Sequence, residues 1–305
     1  MKKRRSESKT NLNSRLIRRP IQRCFPLFLL PTFAAFIIGF LVPFVWGSYL
    51  SFCKFNTPKD ATFIGIGNYL KLFNDPGFLN AFKNTALVTV VSVVVINVFA
   101  FAVAYALTQK LKGSNLFRTV FFMPNLIGGV VLGYIWKMIF DGILHAYNTY
   151  LTANATYGFW GLIILLAWQQ IGYMMIIYIA GLQAVPGDML EAATIDGANR
   201  WQTLWKVIIP NVMPSITICV FLTLTNGFKL FDQNMALTGG APVVTLATGH
   251  QVSMTEMLAL NILSTFNIGK NWHGVAQAKA VVFFILVAVL ALAQLRATRS
   301  KEVQQ

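Results

Sequence analysis

The residues best suited to do work in this chain run Glu191-Ala192-Ala193-Thr194-Ile195-Asp196-Gly197-Ala198, followed by Trp205, Ile208, Pro210 and Pro214. Two carboxylates among small residues, set between two apolar runs, offer a surface to a soluble partner. Catalysis would need titratable groups that converge on one point. The 10 Asp+Glu of this 305-residue chain are dispersed instead, and His145, His250 and His273 stand apart. A metal site wants ligands at helical or turn spacing, which these histidines lack. Cys24, Cys53 and Cys219 are odd in number and scattered, so neither a disulfide framework nor a metal spacing follows. Cys24 and Cys219 read as small apolar helix residues. No G-x-x-x-x-G-K-S/T loop is present to cradle phosphates, and Gly269-Lys270 lacks the preceding spacing. Any use of ATP would therefore fall to another chain.

A second set of polar residues lies inside apolar runs, where polar groups are costly and face protein or water. These are Asn97, Asn125, Gln169, Gln170, Tyr173 and Asn226, with Phe228, Lys229 and Asp232 near an outer helix end. Neutral amides and phenols suit a neutral, hydroxyl-rich solute, and Trp168, Tyr173 and Phe228 offer faces for a sugar ring. Gln170, Tyr173 and Asn226 are the leading candidates for solute contact. The competing reading is hydrogen bonding between helices, worth about 0.5–2 kcal/mol each.

Composition dictates what must position these groups. The chain is 56% hydrophobic and 11% charged, with mean hydropathy +0.60. Runs of roughly 20 apolar residues cross a bilayer. Six are present, at about 25–50, 84–107, 118–140, 158–182, 208–230 and 275–295. None alternates with the period of a barrel strand. The fold class is therefore an all-α polytopic membrane protein with six transmembrane helices. The net charge of +15 is concentrated in the tail, with nine Lys/Arg before Cys24. No aromatic-plus-basic platform accompanies it, which argues against nucleic acid. With the N-terminus inside, seventeen Lys/Arg fall on inner segments and five (Lys54, Lys59, Lys71, Lys83, Lys270) on outer ones. That bias places both termini in the cytoplasm. Lys137, Lys229 and Lys279 read as snorkelling at outer helix ends.

The expected divisions are a basic tail at 1–24, a first span with outer loop at 25–79, a core of five spans at 80–296, and a C-terminal tail at 297–305. Asn74-Asp75-Pro76-Gly77 reads as a turn in the first outer loop. Met254–Phe266 reads as a surface-lying or re-entrant helix. Pro124, Gly128-Gly129, Pro210 and Pro214 are candidate bending points. The segment 183–214 reads as helix, turn, helix. Asp188 and Glu191 favour a helix N-terminus, Gly197 suits a left-handed ending, and Asn199 caps the second helix. Pro210 and Pro214 break or kink the start of the fifth span.

Glu191-Ala192-Ala193, Asp196-Gly197-Ala198, Trp205, Ile208 and Pro210 together resemble the EAA loop of bacterial ABC importer permeases. The family pattern is EAA, two residues, DGA, then an aromatic, an aliphatic and a proline; Trp205 stands where Phe is usual. Thr238-Gly239-Gly240-Ala241-Pro242 resembles the TGGGP stretch of the carbohydrate branch, with Ala241 replacing a glycine. The resemblance covers about residues 80–296. The extra first span fits the larger permease of a maltose-type or glycerol-phosphate-type pair.

The resemblance implies a type I ABC importer transmembrane fold in a bacterial cytoplasmic (inner) membrane. It implies a second permease subunit, two cytoplasmic ATPase subunits that bind ATP and Mg, and an extracytoplasmic solute-binding protein delivering a sugar. The chain itself needs no cofactor or metal and is no enzyme. The segment 183–214 becomes the coupling element, with Glu191, Ala192, Ala193, Asp196, Gly197, Ala198 and Pro210 at the ATPase contact. Gln170, Tyr173, Asn226, Gln169, Asn125 and Phe228 become the candidate solute path. A cationic solute such as a polyamine would want carboxylates in the spans, and glycerol phosphate would want extra arginines. A polytopic membrane enzyme would want clustered His, Asp or Glu.

Overall fold

The computed structural model describes residues 25, 27, 29–109 and 112–299. The basic tail 1–24, Lys110 and residues 300–305 of the C-terminal tail lie outside the described residues. Five helices are long and apolar enough to cross a membrane: α1 (Leu29–Leu50), α3 (Pro76–Thr108), α6 (Ala155–Gln183), α8 (Arg200–Phe228) and α11 (His273–Arg299). A bent pair, α4 (Ser114–Phe122, extended by a tight turn to Leu126) and α5 (Gly129–His145), makes a sixth span if counted as one. The remaining helices are short: α2 (Gly67–Phe73), α7 (Gly187–Ile195), α9 (Asp232–Leu237) and α10 (Leu258–Ile268). Two small hairpins complete the described chain. One pairs β1 (Cys53–Lys54) with β2 (Thr62–Phe63), the other β3 (Val243–Thr245) with β4 (Gln251–Ser253).

The core lies where α3, α6 and α8 meet. Ile96, Ala100 and Ala104 of α3 are fully buried against Leu165, Leu166 and Met174 of α6 and Val212 and Cys219 of α8. In lipid, close backbone approach and hydrogen bonds hold helices together. Small residues permit the first. A Cβ on Gly172 of α6 would fall 1.8 Å from the Phe121 carbonyl oxygen of α4, and one on Gly133 of α5 would meet Ala236 of α9 at 2.5 Å. A polar chain, buried at both ends and half-buried at Asn97, supplies the second. Tyr178 Oη donates to Asn97 Oδ1 at 2.7 Å, and Asn97 Nδ2 donates to Thr223 Oγ1 at 3.1 Å, joining all three core helices. Helix α1 stands aside, with no buried residue in its apolar window, and meets α11 through Phe44 and Phe284, whose rings are 4.7 Å apart.

Helix ends shift by several residues throughout, α11 running to Arg299 into the expected C-terminal tail, and four features differ in kind. The third run bends by 102° between its two helices. Pro124 opens a tight turn, Ile127 and Gly128 are extended, and the helix restarts at Gly129. Pro124 and Gly128-Gly129 are therefore bending points in fact. The prolines of the fifth run do not break it: α8 begins at Arg200, eight residues early, and runs through both. A π-turn at Leu204–Ile208 just before Pro210 absorbs its missing donor and ring. Asn74-Asp75-Pro76-Gly77 starts a helix instead of turning. Asp75 Oδ1 accepts from Gly77 N at 2.9 Å, and Pro76 takes the first helical position, where a missing N–H costs nothing. The helix expected from Met254 begins at Leu258, and its buried Leu258, Asn261 and Thr265 place it inside the loop rather than on its surface.

Candidate functional site

The elbow is built by local rules. Helix α6 ends at Gln183, and Pro186, extended at ψ 132°, starts α7 with Asp188 in its first turn. Gly197 adopts φ +75°, where a side chain is strained. Around it Ala198 N donates to Ala193 O at 2.9 Å and Gly197 N to Thr194 O at 3.1 Å. These two bonds satisfy the last carbonyls of α7 in a Schellman ending. Asn199 then caps α8 reciprocally: its Oδ1 accepts from Gln202 N at 2.8 Å, and Gln202 Oε1 accepts from Asn199 N at 2.9 Å. The turn is thus fixed from both sides.

What the elbow shows to solvent is apolar as well as acidic. Glu191, Ala192 and Asp196 are exposed, Ala198 and Pro210 are half-buried, and Ala193 is buried. Ile195 is 85% exposed and Trp201 67% exposed, so large apolar side chains share the elbow with the carboxylates. Leu190, Glu191, Thr194 and Ile195 line a shallow recess. A carboxylate beside an apolar rim can dock against a partner that offers a cation and an apolar cleft. The exposed Trp201 was not singled out in the sequence, because a helical apolar residue reads as core until packing shows otherwise.

The intramembrane amides come together in part. Gln169 and Gln170 sit at the middle of α6 and are buried. Gln233 Nε2 of α9 donates to Gln169 Oε1 at 2.8 Å, and Asn226 Nδ2 of α8 donates to Gln170 Oε1 at 3.3 Å. Asn226 is exposed, so the layer opens to one side. Tyr173 is half-buried on the core edge one turn along α6. Asn125 is half-buried in the tight turn at the bend. Phe228 is not part of the layer. Two residues along a helix rotate about 200°, and Phe228 turns away from Asn226 into an apolar cavity with Phe82, Thr89, Leu224 and Leu286. Asn97 belongs to the interhelical chain with Tyr178 and Thr223. Gln233 escaped the sequence reading because it lies between the apolar runs 208–230 and 275–295, where no span was expected. So did a cavity of about 280 Å³ at the loop end, lined by Asn80, Lys83, Asn84, Phe159 and Met254.

Lys279 differs from expectation. It does not snorkel: it is 1% exposed and its Nζ lies 2.6 Å from Asp75 Oδ2.

Comparison with known proteins agrees with this architecture. Residues 106–300 match the family described as binding-protein-dependent transport system inner membrane component. The chain is 41% identical over 287 residues to the probable starch degradation products transport system permease protein of Thermoanaerobacterium thermosulfurigenes, covering 91% of this chain and 94% of that one. It is 30% identical over 277 residues to the multiple sugar-binding transport system permease protein of Streptococcus mutans, covering 88% and 92%. A solved chain of a bacterial ABC transporter involved in alginate import superposes with TM-score 0.76 at 19% identity, covering 93% of this chain and 98% of that one. At that identity the likeness speaks for the fold alone, that of a type I ABC importer permease. An elbow stiffened at both ends, long apolar helices on a three-helix core and the matched sequence model lead to one assignment: this multi-pass membrane chain belongs to the binding-protein-dependent transport system inner membrane components.

Proposed function

We propose that the chain is the membrane-spanning permease subunit of an ATP-driven importer for a sugar or oligosaccharide. It works by alternating access beside a second permease, with two cytoplasmic ATPase subunits holding ATP and Mg and a soluble receptor delivering the solute. The observation that carries the sugar reading is the uncharged amide layer of Gln169, Gln170, Asn226 and Gln233 at the middle of α6, and the sugar-transport names of the 41% and 30% identical relatives support it. Amides offer donors and acceptors to hydroxyl groups without the field that would select an ion. Tyr173 stands one turn away as a face for a pyranose ring.

The elbow is the mechanical link. Both termini lie in the cytoplasm, so the elbow faces the ATPases. Glu191 and Asp196 meet cations on the motor, and Ile195 fills an apolar cleft. The turn at Gly197 is rigid, so closure of the ATPase pair displaces α6 and α8 together. Because the amides of Gln170 and Asn226 sit on those two helices, the same displacement changes the solute layer. The test is reconstitution. The complex is co-purified in proteoliposomes, and malto-oligosaccharides are screened for ATP-dependent uptake and stimulation of hydrolysis. Uptake by the chain without an ATPase partner, or stimulation only by ions or amino acids, defeats the reading.

A further inference from the structure

Lys279 is the most heavily partnered buried cation in the described structure, and nothing in the solute layer or the elbow uses it. Its Nζ has three donors, and all three are spent. They reach Asp75 Oδ2 at 2.6 Å, Asn261 Oδ1 at 2.7 Å and Thr265 Oγ1 at 2.6 Å. The first partner caps α3, and the other two belong to α10, while Lys279 itself is on α11. One ammonium therefore joins two membrane-crossing helices to the loop between α8 and α11. Asp75 serves two masters: Oδ1 holds the first turn of α3 and Oδ2 holds the lysine. Behind Asn261, buried Glu256 accepts from Asn261 Nδ2 at 2.7 Å and from Ser264 Oγ at 2.5 Å, so α10 is fixed within the loop as well. The loop is also sewn to the same end of α3. Asn80 Nδ2 donates to Ser253 O at 2.9 Å, Asn84 Nδ2 to Met254 O at 2.6 Å, and Leu258 N to Thr85 Oγ1 at 2.8 Å.

A buried ion pair is a weak way to gain stability, since well-packed apolar groups of the same volume often do as well. It does fix register. We infer that Lys279 is a positioning residue for transport: it pins the outer loop rigidly to the outer ends of α3 and α11, so that a receptor seated on that loop moves the spans. This rests on the importer reading above. Without the pin the loop follows the receptor and the helices do not.

Two single variants and their combination separate coupling from stability. Asp75→Asn keeps a good helix cap and removes the charge; Lys279→Met removes the ammonium. The complex is reconstituted with the receptor that supports malto-oligosaccharide uptake, and maltotriose is the probe. Each single variant is expected to lower receptor-stimulated ATPase and uptake about tenfold, while hydrolysis without receptor stays within about twofold. Lys279→Met strands the carboxylates of both Asp75 and buried Glu256, whereas the double variant strands Glu256 alone on its Asn261 and Ser264 donors, so its thermal midpoint should rise above that of Lys279→Met toward wild type. Its stimulation should stay low. Recovery of stimulation together with stability overturns the proposal, because the pair is then only a structural element. Unchanged stimulation in Asp75→Asn overturns it too, and that variant carries the test if Lys279→Met fails to reach the membrane. A wild-type complex that no receptor stimulates brings down the importer reading first and the pin with it, a failure distinct from that of the variants.

Discussion

Gly197 has open space where a Cβ would stand, so its only constraint is the backbone angle of +75°. Ala at that angle costs about 1–2 kcal/mol, while Asn visits it readily. Gly197→Ala should weaken coupled uptake, Gly197→Asn should spare most of it, and Gly197→Asp should abolish it by adding charge to the docking face. Membrane insertion should be unchanged in all three, as read by immunoblot of the membrane fraction. Glu191→Lys should behave as Gly197→Asp does. In the amide layer, Gln170→Ala strips Asn226 Nδ2 of its acceptor. An amide hydrogen bond contributes about 0.5–1.5 kcal/mol, so transport KM should rise several-fold with assembly intact. A KM equal to wild type would return Gln170 to the role of interhelical glue. The elbow was legible in the sequence because caps, helix endings and the Gly197 turn are local. The amide layer was legible only as a set of expensive residues. That Gln170 meets Asn226, and that Phe228 turns the other way, depends on the rotation of α8 against α6.

Helix packing explains why the element boundaries were harder to read than the elements. Periodicity and length found the apolar runs, yet hydropathy is blind to a bend, and the bend at Ile127-Gly128 leaves composition unchanged. Asp75-Pro76 carries turn and cap signals in the same letters; only the helix that follows decides between them. Lys279 illustrates the larger limit: its three partners lie 204, 18 and 14 residues away, so nothing near it in sequence announces burial. Glycines test the packing directly. Gly172→Ala puts a methyl group into the Phe121 carbonyl, whose position is fixed by α4. Neither backbone can yield without separating the helices, so the variant should lose several kcal/mol, as overpacked cores do at about 1–3 kcal/mol and more. The expected readout is loss of the complex on size-exclusion chromatography. Gly187→Ala has nothing within 4 Å and an ordinary backbone angle, so it should assemble as wild type does. Equal assembly of both variants would mean that α4 and α6 do not cross at Gly172.

At the scale of the whole molecule, the importer reading depends on which ends of the bundle face which compartment. The basic residues argue for one orientation, although the four lysines of residues 51–83 pull weakly the other way. Cysteine labelling decides it with little background. Cys53 and Cys219 are buried, and Cys24 can be replaced by Ser. In that chain, Ile195→Cys places a thiol at the 85% exposed tip of the elbow, and Lys59→Cys places one on the exposed first loop. A membrane-impermeant maleimide added to intact cells should modify position 59 and leave position 195 untouched until the membrane is opened. The reverse pattern puts the elbow out of reach of any cytoplasmic ATPase. ATP should then alter the two thiols differently in opened membranes. If the proposed motor docks over Ile195, its labelling should slow several-fold when the ATPase subunits are present. Position 59 should respond only when receptor and solute are added as well. Because α6 and α8 carry both the elbow and the amide layer, a change at one end without any change at the other would mean that the two helices flex instead of acting as levers.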